Sequence, residues 1–292
     1  MSFGEVLTAM VTPFQADGKV NYEKAQELAV YLLNNGSDGI VVGGTTGESP
    51  SLAKEEMIEL YSAVKEAVGD KGSVIGGCGG NNTLAVARQM EELNKLGLDG
   101  YLTVAPYYNK PTQEGVFKHY EALDRVSAAP IVVYNIPART GINLAPDTLV
   151  RMAELTNIKA LKESTGNVAQ ITELKMRLPQ DFLIYSGDDY MTFPMTAMGC
   201  QGIISVSSHI VGKDIKAMVT AVKDNDLAKG QELHYKLYPV FTAMFCTANP
   251  IPVKTALNLL GFEVGGFRLP LCEGDEATVD FLKTFLQDYG LL

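Results

Sequence analysis

The sequence predicts an α/β protein, a TIM-type (β/α)8 barrel with a helical region appended at its C-terminus. Three observations predict it. A Gly-x-x-Gly turn recurs before apolar runs, in NGSDGIVVGG (35–44), LGLDGYLTVA (96–105) and MGCQGIISVS (198–207). Eight apolar, strand-like runs are separated by helical patterns. Their starts are spaced by roughly 20–35 residues, the length of a βα unit. Polar residues gather where each run ends.

The first glycine of each turn suits a position just past a helix, where left-handed dihedrals are needed. The run after the second glycine suits a buried strand. Before the first turn, Ala25, Leu28, Ala29, Leu32 and Leu33 share one helix face, with Asn21 as N-cap and Gly36 as the stop. The stretch NTLAVARQMEELNKLG repeats the arrangement before the second. The eight runs cover 6–14, 39–46, 73–80, 100–108, 130–137, 158–164, 182–189 and 202–208. After residue 209 the pattern is helical to the end, and longer than an eighth barrel helix needs. The expected division is therefore a barrel over 1–224 and a helical region over 225–292. An open doubly wound sheet is the alternative, but the first run is not followed by the G-x-G-x-x-G turn that would hold a dinucleotide.

Composition limits the function. The 292 residues are 46% hydrophobic and carry a net charge of −10, with no cluster of Lys or Arg, so nucleic acid and anionic membrane surfaces are not expected partners. No stretch reaches the roughly 18 apolar residues of a membrane span. The first cation is Lys19, so the N-terminus does not read as a signal peptide. Cys78, Cys200, Cys246 and Cys272 show no metal spacing and read as four buried thiols of a cytoplasmic protein. His119, His209 and His234 are scattered and read as structural, so no metal site is expected.

The run ends carry the chemistry. Gly-Thr-Thr-Gly-Glu (44–48), Tyr107, Tyr108, Tyr134, Arg139, Lys162 and Ser186-Gly187-Asp188-Asp189 all fall at the predicted C-terminal rim, where barrel enzymes build their sites. Alternation puts Ala160 and Lys162 on one face of the sixth strand, and Val132 and Tyr134 on one face of the fifth. Lys162 would then point into the barrel mouth. Desolvation lowers a lysine pKa, and a neutral amine attacks a keto carbon to form a Schiff base. That chemistry needs no cofactor. It needs a proton relay, for which a tyrosine and a threonine hydroxyl suit, and a carboxylate anchor, which the Gly-Thr-Thr-Gly turn and Arg139 offer. Plainer readings exist: an ion pair for Lys162, a core aromatic for Tyr134, turn residues for Thr45 and Thr46, a surface ion pair for Arg139 and a packing patch for Tyr107-Tyr108. The pair Asp188-Asp189 reads as capping the next helix.

The segments GGTTGES (43–49), APYYNKPTQEG (105–115), YNIPARTG (134–141), ALKESTGN (160–167), YSGDD (185–189), NPIPVKTALNLLG (249–261) and RLPLCE (268–273) resemble the dihydrodipicolinate synthases, within the pyruvate-dependent Schiff-base aldolases. The likeness runs in order through nearly the whole chain. It implies condensation of pyruvate with aspartate 4-semialdehyde, without cofactor, on the route to diaminopimelate and lysine. Lys162 matches the Schiff-base lysine, and Tyr134, Thr46 and Tyr108 the proton relay. Thr45 and Thr46 match the holders of the pyruvate carboxylate, Arg139 that of the second substrate, and Gly187 and Ile204 line the site through their backbones. Tyr108 would enter a neighbouring subunit's site, which implies a homotetramer, a dimer of dimers, or a homodimer. A Schiff-base lyase of a sugar acid, such as N-acetylneuraminate or a 2-keto-3-deoxy acid, is the alternative; N-acetylneuraminate lyases generally lack the arginine at 139, and sugar-acid aldolases alter the YNIP segment. Ser49, Asn81 and Tyr107 match an interface site at which lysine inhibits many members. Lys54, Met57 and Ala85 depart from it, so weak or absent lysine inhibition is expected.

Overall fold

The computed structural model describes residues 2–292. Eight strands, β1 (Val6–Ala9), β2 (Gly39–Val42), β3 (Ser73–Gly77), β4 (Gly100–Val104), β5 (Ile131–Asn135), β6 (Ile158–Glu163), β7 (Leu183–Ser186) and β8 (Gly202–Ser205), close into a barrel in chain order. Every neighbouring pair is parallel, and β1 meets β8 with Leu7 opposite Ile204. The predicted fold is the observed one. Each strand is shorter than its apolar run, because the residues at its C-terminal end leave the sheet to form the loops of the barrel mouth.

Helices α1 (Tyr22–Asn34), α2 (Lys54–Val68), α3 (Thr83–Leu93), α4 (Gln113–Val126), α5 (Pro137–Thr140), α6 (Pro146–Met152), α7 (Val168–Arg177), α8 (Thr192–Ala197) and α9 (Ser208–Lys223) fill the spaces between and after the strands. The α1 reading holds in detail. The Asn21 side chain accepts from the Lys24 N–H at 3.1 Å, and Ala25, Leu28, Ala29 and Leu32 are buried, with Leu33 partly so. Gly36 ends the helix with φ of 101°, and a Cβ there would sit 2.6 Å from the Gly212 carbonyl oxygen. Only glycine meets both demands.

Alternation divides the apolar residues into two layers. Val41, Ile75, Leu102, Val132, Tyr134, Ala160, Tyr185 and Ile204 fill the barrel interior. Ile40, Val74, Ile131, Val133, Leu161, Ile184 and Ile203 face the helices. Tyr185 donates its hydroxyl to the Gly4 carbonyl at 2.9 Å, which ties the N-terminal segment across the bottom of the barrel. Layered packing of this kind makes the interior a core rather than a pore.

Beyond α9 come α10 (Leu227–Ala243), α11 (Ile251–Leu259) and α12 (Glu276–Asp288). A buried ion pair joins this region to the β2 loop. Lys254 Nζ donates to Glu48 Oε1 at 2.8 Å, to the Thr12 carbonyl at 3.1 Å and to the Gly266 carbonyl. The other Glu48 oxygen accepts from the Arg268 N–H at 3.2 Å. Both side chains are shielded from solvent, and Glu48 holds a left-handed φ of 53°.

Two readings need correction. Cys78 and Cys200 are buried, but Cys246 and Cys272 are exposed, because both lie in the loops that flank α11 rather than on an inward face. Asp188 makes no side-chain cap to the helical turn that follows it, and nor does Asp189. Its carboxylate instead accepts from the Val206 and Ser207 N–H groups, at 3.3 and 3.0 Å, and from both the Ser205 and Ser207 hydroxyls. It thus organises the turn into α9. Of the three histidines, His209 is held on both ring nitrogens. His209 donates Nδ1–H to the Val206 carbonyl and accepts the Val11 N–H on Nε2, and burial pulls its pKa to about 4. No helix among the described residues is long and apolar enough to cross a membrane.

Candidate active site

Lys162 is the penultimate residue of β6 and shares the inward face with Ala160. It is 5% exposed, and its Nζ stands 4.4 Å from the centroid of the Tyr134 ring. Burial lowers its pKa to about 8; the Asp188 and Asp189 carboxylates oppose that shift and Arg139 reinforces it. Lys162 has no ion-pair partner among the described residues. The neighbouring Glu163 is engaged elsewhere. It accepts from Asn135 Nδ2 at 3.0 Å and from the Thr165 N–H at 2.8 Å, and burial raises its pKa. The ion-pair reading of Lys162 therefore fails on geometry.

Tyr134 lies on β5 directly opposite Lys162 in the strand register. Burial pushes its phenol far above the ordinary range, so the hydroxyl is held protonated and able to donate. Thr46 follows β2, is buried, and its hydroxyl accepts from Asn249 Nδ2 at 3.0 Å. Asn249 comes from the segment before α11 and is followed by a cis peptide bond to Pro250. The C-terminal region thus supplies part of the mouth.

A narrow inner cavity is lined by Thr45, Thr46, Tyr134, Arg139, Lys162, Gly187, Asp188, Phe245 and Asn249, among others. Gly187 is required by space: a Cβ there would lie 2.0 Å from Ser164 Oγ and 3.0 Å from Lys162 Cε. Arg139, on α5, lines both this cavity and an outer one, and makes no ion pair among the described residues. It is free to meet an anion. The outer cavity shares Gly44, Thr45, Tyr134 and Arg139, and adds Ser49, Met57, Gln89 and Tyr107.

The structure thus brings together Thr45, Thr46, Tyr134, Arg139, Lys162 and Gly187. Ile204 lies deeper on the same face of the eighth run, inside the barrel, and Val206 takes the cavity wall in its place. Tyr108 stands apart, 87% exposed with a left-handed φ of 72°, and does not line the cavities of its own chain. Asn81 is outside the outer cavity and offers its carbonyl to Asn109 Nδ2 at 3.0 Å. Asn249 and Phe245 were not singled out as site residues from sequence, and Asp188, placed on the rim but read as a helix cap, faces the inner cavity. The first two lie far along the chain from the β2 loop they join, and no local pattern marks them.

A closed eight-stranded barrel, with a desolvated lysine under a phenol at its C-terminal mouth, defines the class: a barrel equipped for amine attack on a carbonyl compound. Residues 2–288 match the model of the Dihydrodipicolinate synthetase family, and the chain belongs to that family. It is 48% identical over 293 residues to the 4-hydroxy-tetrahydrodipicolinate synthase of Desulforamulus reducens, covering 100% of this chain and 99% of that one. Among solved structures, the synthase of Cyanidioschyzon merolae with lysine bound superposes with a TM-score of 0.97 at 43% identity, covering 99% of each chain. The chloride-inhibited synthase of Acinetobacter baumannii, complexed with pyruvate, gives 0.96 at 34% identity, covering 100% of each. These relatives do not favour the sugar-acid lyase alternative.

Proposed function

We propose that this protein condenses pyruvate with L-aspartate 4-semialdehyde to 4-hydroxy-tetrahydrodipicolinate, the lyase-type aldol step that leads to diaminopimelate and lysine. The observation that carries this reading is the unpaired, desolvated amine of Lys162 facing Tyr134.

The neutral amine adds to C2 of pyruvate, and the resulting carbinolamine loses water as the Tyr134 phenol supplies a proton to the departing hydroxyl. The iminium withdraws electrons, so the methyl group gives up a proton and becomes an enamine carbon. That carbon forms a bond to the aldehyde carbon of the semialdehyde, whose oxygen takes up a proton. The amino group of the semialdehyde then attacks the iminium carbon, closes the ring and expels the lysine amine. None of these steps calls for a metal or organic cofactor.

In this reading Thr45 and Thr46 hold the pyruvate carboxylate, and Arg139 holds that of the semialdehyde, as a guanidinium fork suits a carboxylate. Gly187 contributes backbone to the wall, and Ile204 closes the barrel interior beneath it. Tyr108, turned outward on its own chain, completes the relay with Thr46 and Tyr134 in a neighbouring copy. The working form is then a homotetramer or homodimer in the cytoplasm.

The test is capture of the imine. Incubation with pyruvate, reduction with borohydride and digestion should give a reduced pyruvyl adduct on the peptide carrying Lys162. A folded protein that yields no adduct would sink the mechanism.

A further inference from the structure

One buried polar group near the inner cavity has no place in the steps above. Ser164 stands one residue past the end of β6, two beyond Lys162, and so faces the same way. Its N–H donates to the Asn135 carbonyl at 2.9 Å, which continues the β5–β6 pairing one residue past the strand and fixes its position. The residue is 9% exposed, and its hydroxyl makes no hydrogen bond.

That hydroxyl is wedged among three groups. Gly187 gives way to it, since a Cβ at that position would lie 2.0 Å from Ser164 Oγ. The same Cβ position would lie 3.0 Å from Lys162 Cε, Lys162 Nζ stands 4.4 Å from the Tyr134 ring centroid, and Tyr134, Lys162, Gly187 and Asp188 line one cavity, so the serine sits beside the phenol and the carboxyl and favours the ionised form of each. An unmade hydrogen bond in a buried place is destabilising, and alanine would fill the same space without that penalty. A hydroxyl that rotates freely has a use here. It can accept from the phenol while donating to Asp188, then turn to donate to the phenol oxygen once that oxygen has given up its proton.

We propose that Ser164 is a positioning residue for Tyr134: when the pyruvate imine forms on Lys162, its hydroxyl closes onto the phenol oxygen and holds it, against Asp188, in line with the proton it passes. This rests on the Schiff-base reading of Lys162. Ser164 acts through Tyr134 and itself gives or takes no proton of the substrates.

The test uses the full-length protein, with pyruvate and the semialdehyde as substrates. Ser164→Ala should form the borohydride-trapped adduct on Lys162 as fully as the unsubstituted protein. Its melting temperature should be unchanged or higher. Its KM for pyruvate should stay within about twofold while kcat falls on the order of 10-fold, less than the ~10²–10⁴ of a proton-transferring group itself. In a Tyr134→Phe background the same substitution should cause no further loss, because the group it positions is gone. A kcat equal to that of the unsubstituted protein would overturn the proposal. So would a loss of adduct that parallels a lower melting temperature, since the serine would then be a packing element. An equal fold-loss in the Tyr134→Phe background would also overturn it, by showing that Ser164 acts independently of the phenol. If the unsubstituted protein forms no adduct, the Schiff-base reading falls and this proposal falls with it.

Discussion

Tyr134 and Lys162 are paired residues on adjacent strands, and the amine of one lies 4.4 Å from the ring centroid of the other. Two buried strands hold them, so their relative position is a property of the sheet rather than of a loop.

That fixed, dry setting determines a pH dependence. In the proposed mechanism the nucleophile is the neutral amine, so kcat/KM for pyruvate should rise with pH and level off above the Lys162 pKa of about 8. An ordinary lysine would place the limb near pH 10.4. The Tyr134 phenol, held protonated well beyond this range, adds no falling limb there. Asp188 favours the ammonium, so Asp188→Asn should move the limb below 8. A pH–rate profile with borohydride trapping measures both, and a limb near 10 would contradict the desolvated amine.

The exposure of Tyr108 leads to a test of sharing between subunits. Lys162→Ala and Tyr108→Phe chains should each be slow alone. Mixed and reassembled, they should regain activity, because the site of the Tyr108→Phe chain then has its own Lys162 and the partner's intact tyrosine. Hybrids no faster than the average of the two parents would place Tyr108 outside the relay of a neighbour.

The Glu48–Lys254 pair should be a main support of the mouth. Lys254→Met leaves a buried carboxylate without its cation and should destabilise the protein by about 3–5 kcal/mol. Adding Glu48→Gln should recover part of the loss. Urea unfolding at fixed protein concentration reads the effect, and a midpoint unchanged by Lys254→Met would show that the pair contributes little.

Inhibition by lysine should be weak or absent. Lys54 is held by Glu92 at 2.6 Å, Met57 presents an apolar wall to the outer cavity, and Ala85 offers no carboxylate to an effector's ammonium. Initial rates across a lysine series settle the point. An inhibition constant in the low-millimolar range or below would refute the expectation.

Much of the fold and site was legible because it depends on short periods. Asn21, Gly36 and the period-two alternation of β5 and β6 act within a few residues, and they place Tyr134 and Lys162 correctly. What escaped depends on contacts between distant segments. Glu48 and Lys254 are 206 residues apart, and neither lies in a pattern that calls for the other. Thr46 and Asn249 are separated by 203. Asp189 was misread because a carboxylate beside a helix start reads as its cap, whereas the unsatisfied N–H groups it serves belong to the next βα turn. Tyr108 is exposed and lines no cavity of its own chain.

The β1–β8 seam bears on how the molecule is made. Thr8 and Ser208 share a hydrogen bond at 2.7 Å although 200 residues separate them, and Leu7 pairs with Ile204. The ring cannot shut until its last strand exists. During synthesis, β1 therefore waits with one edge unpaired while successive βα units are added to the other side of the sheet. Contacts of such long range are slow to form, and open strand edges invite pairing with other chains. The nascent barrel is most prone to misassociation just before β8 leaves the ribosome, and closure of the seam removes both edges in one step.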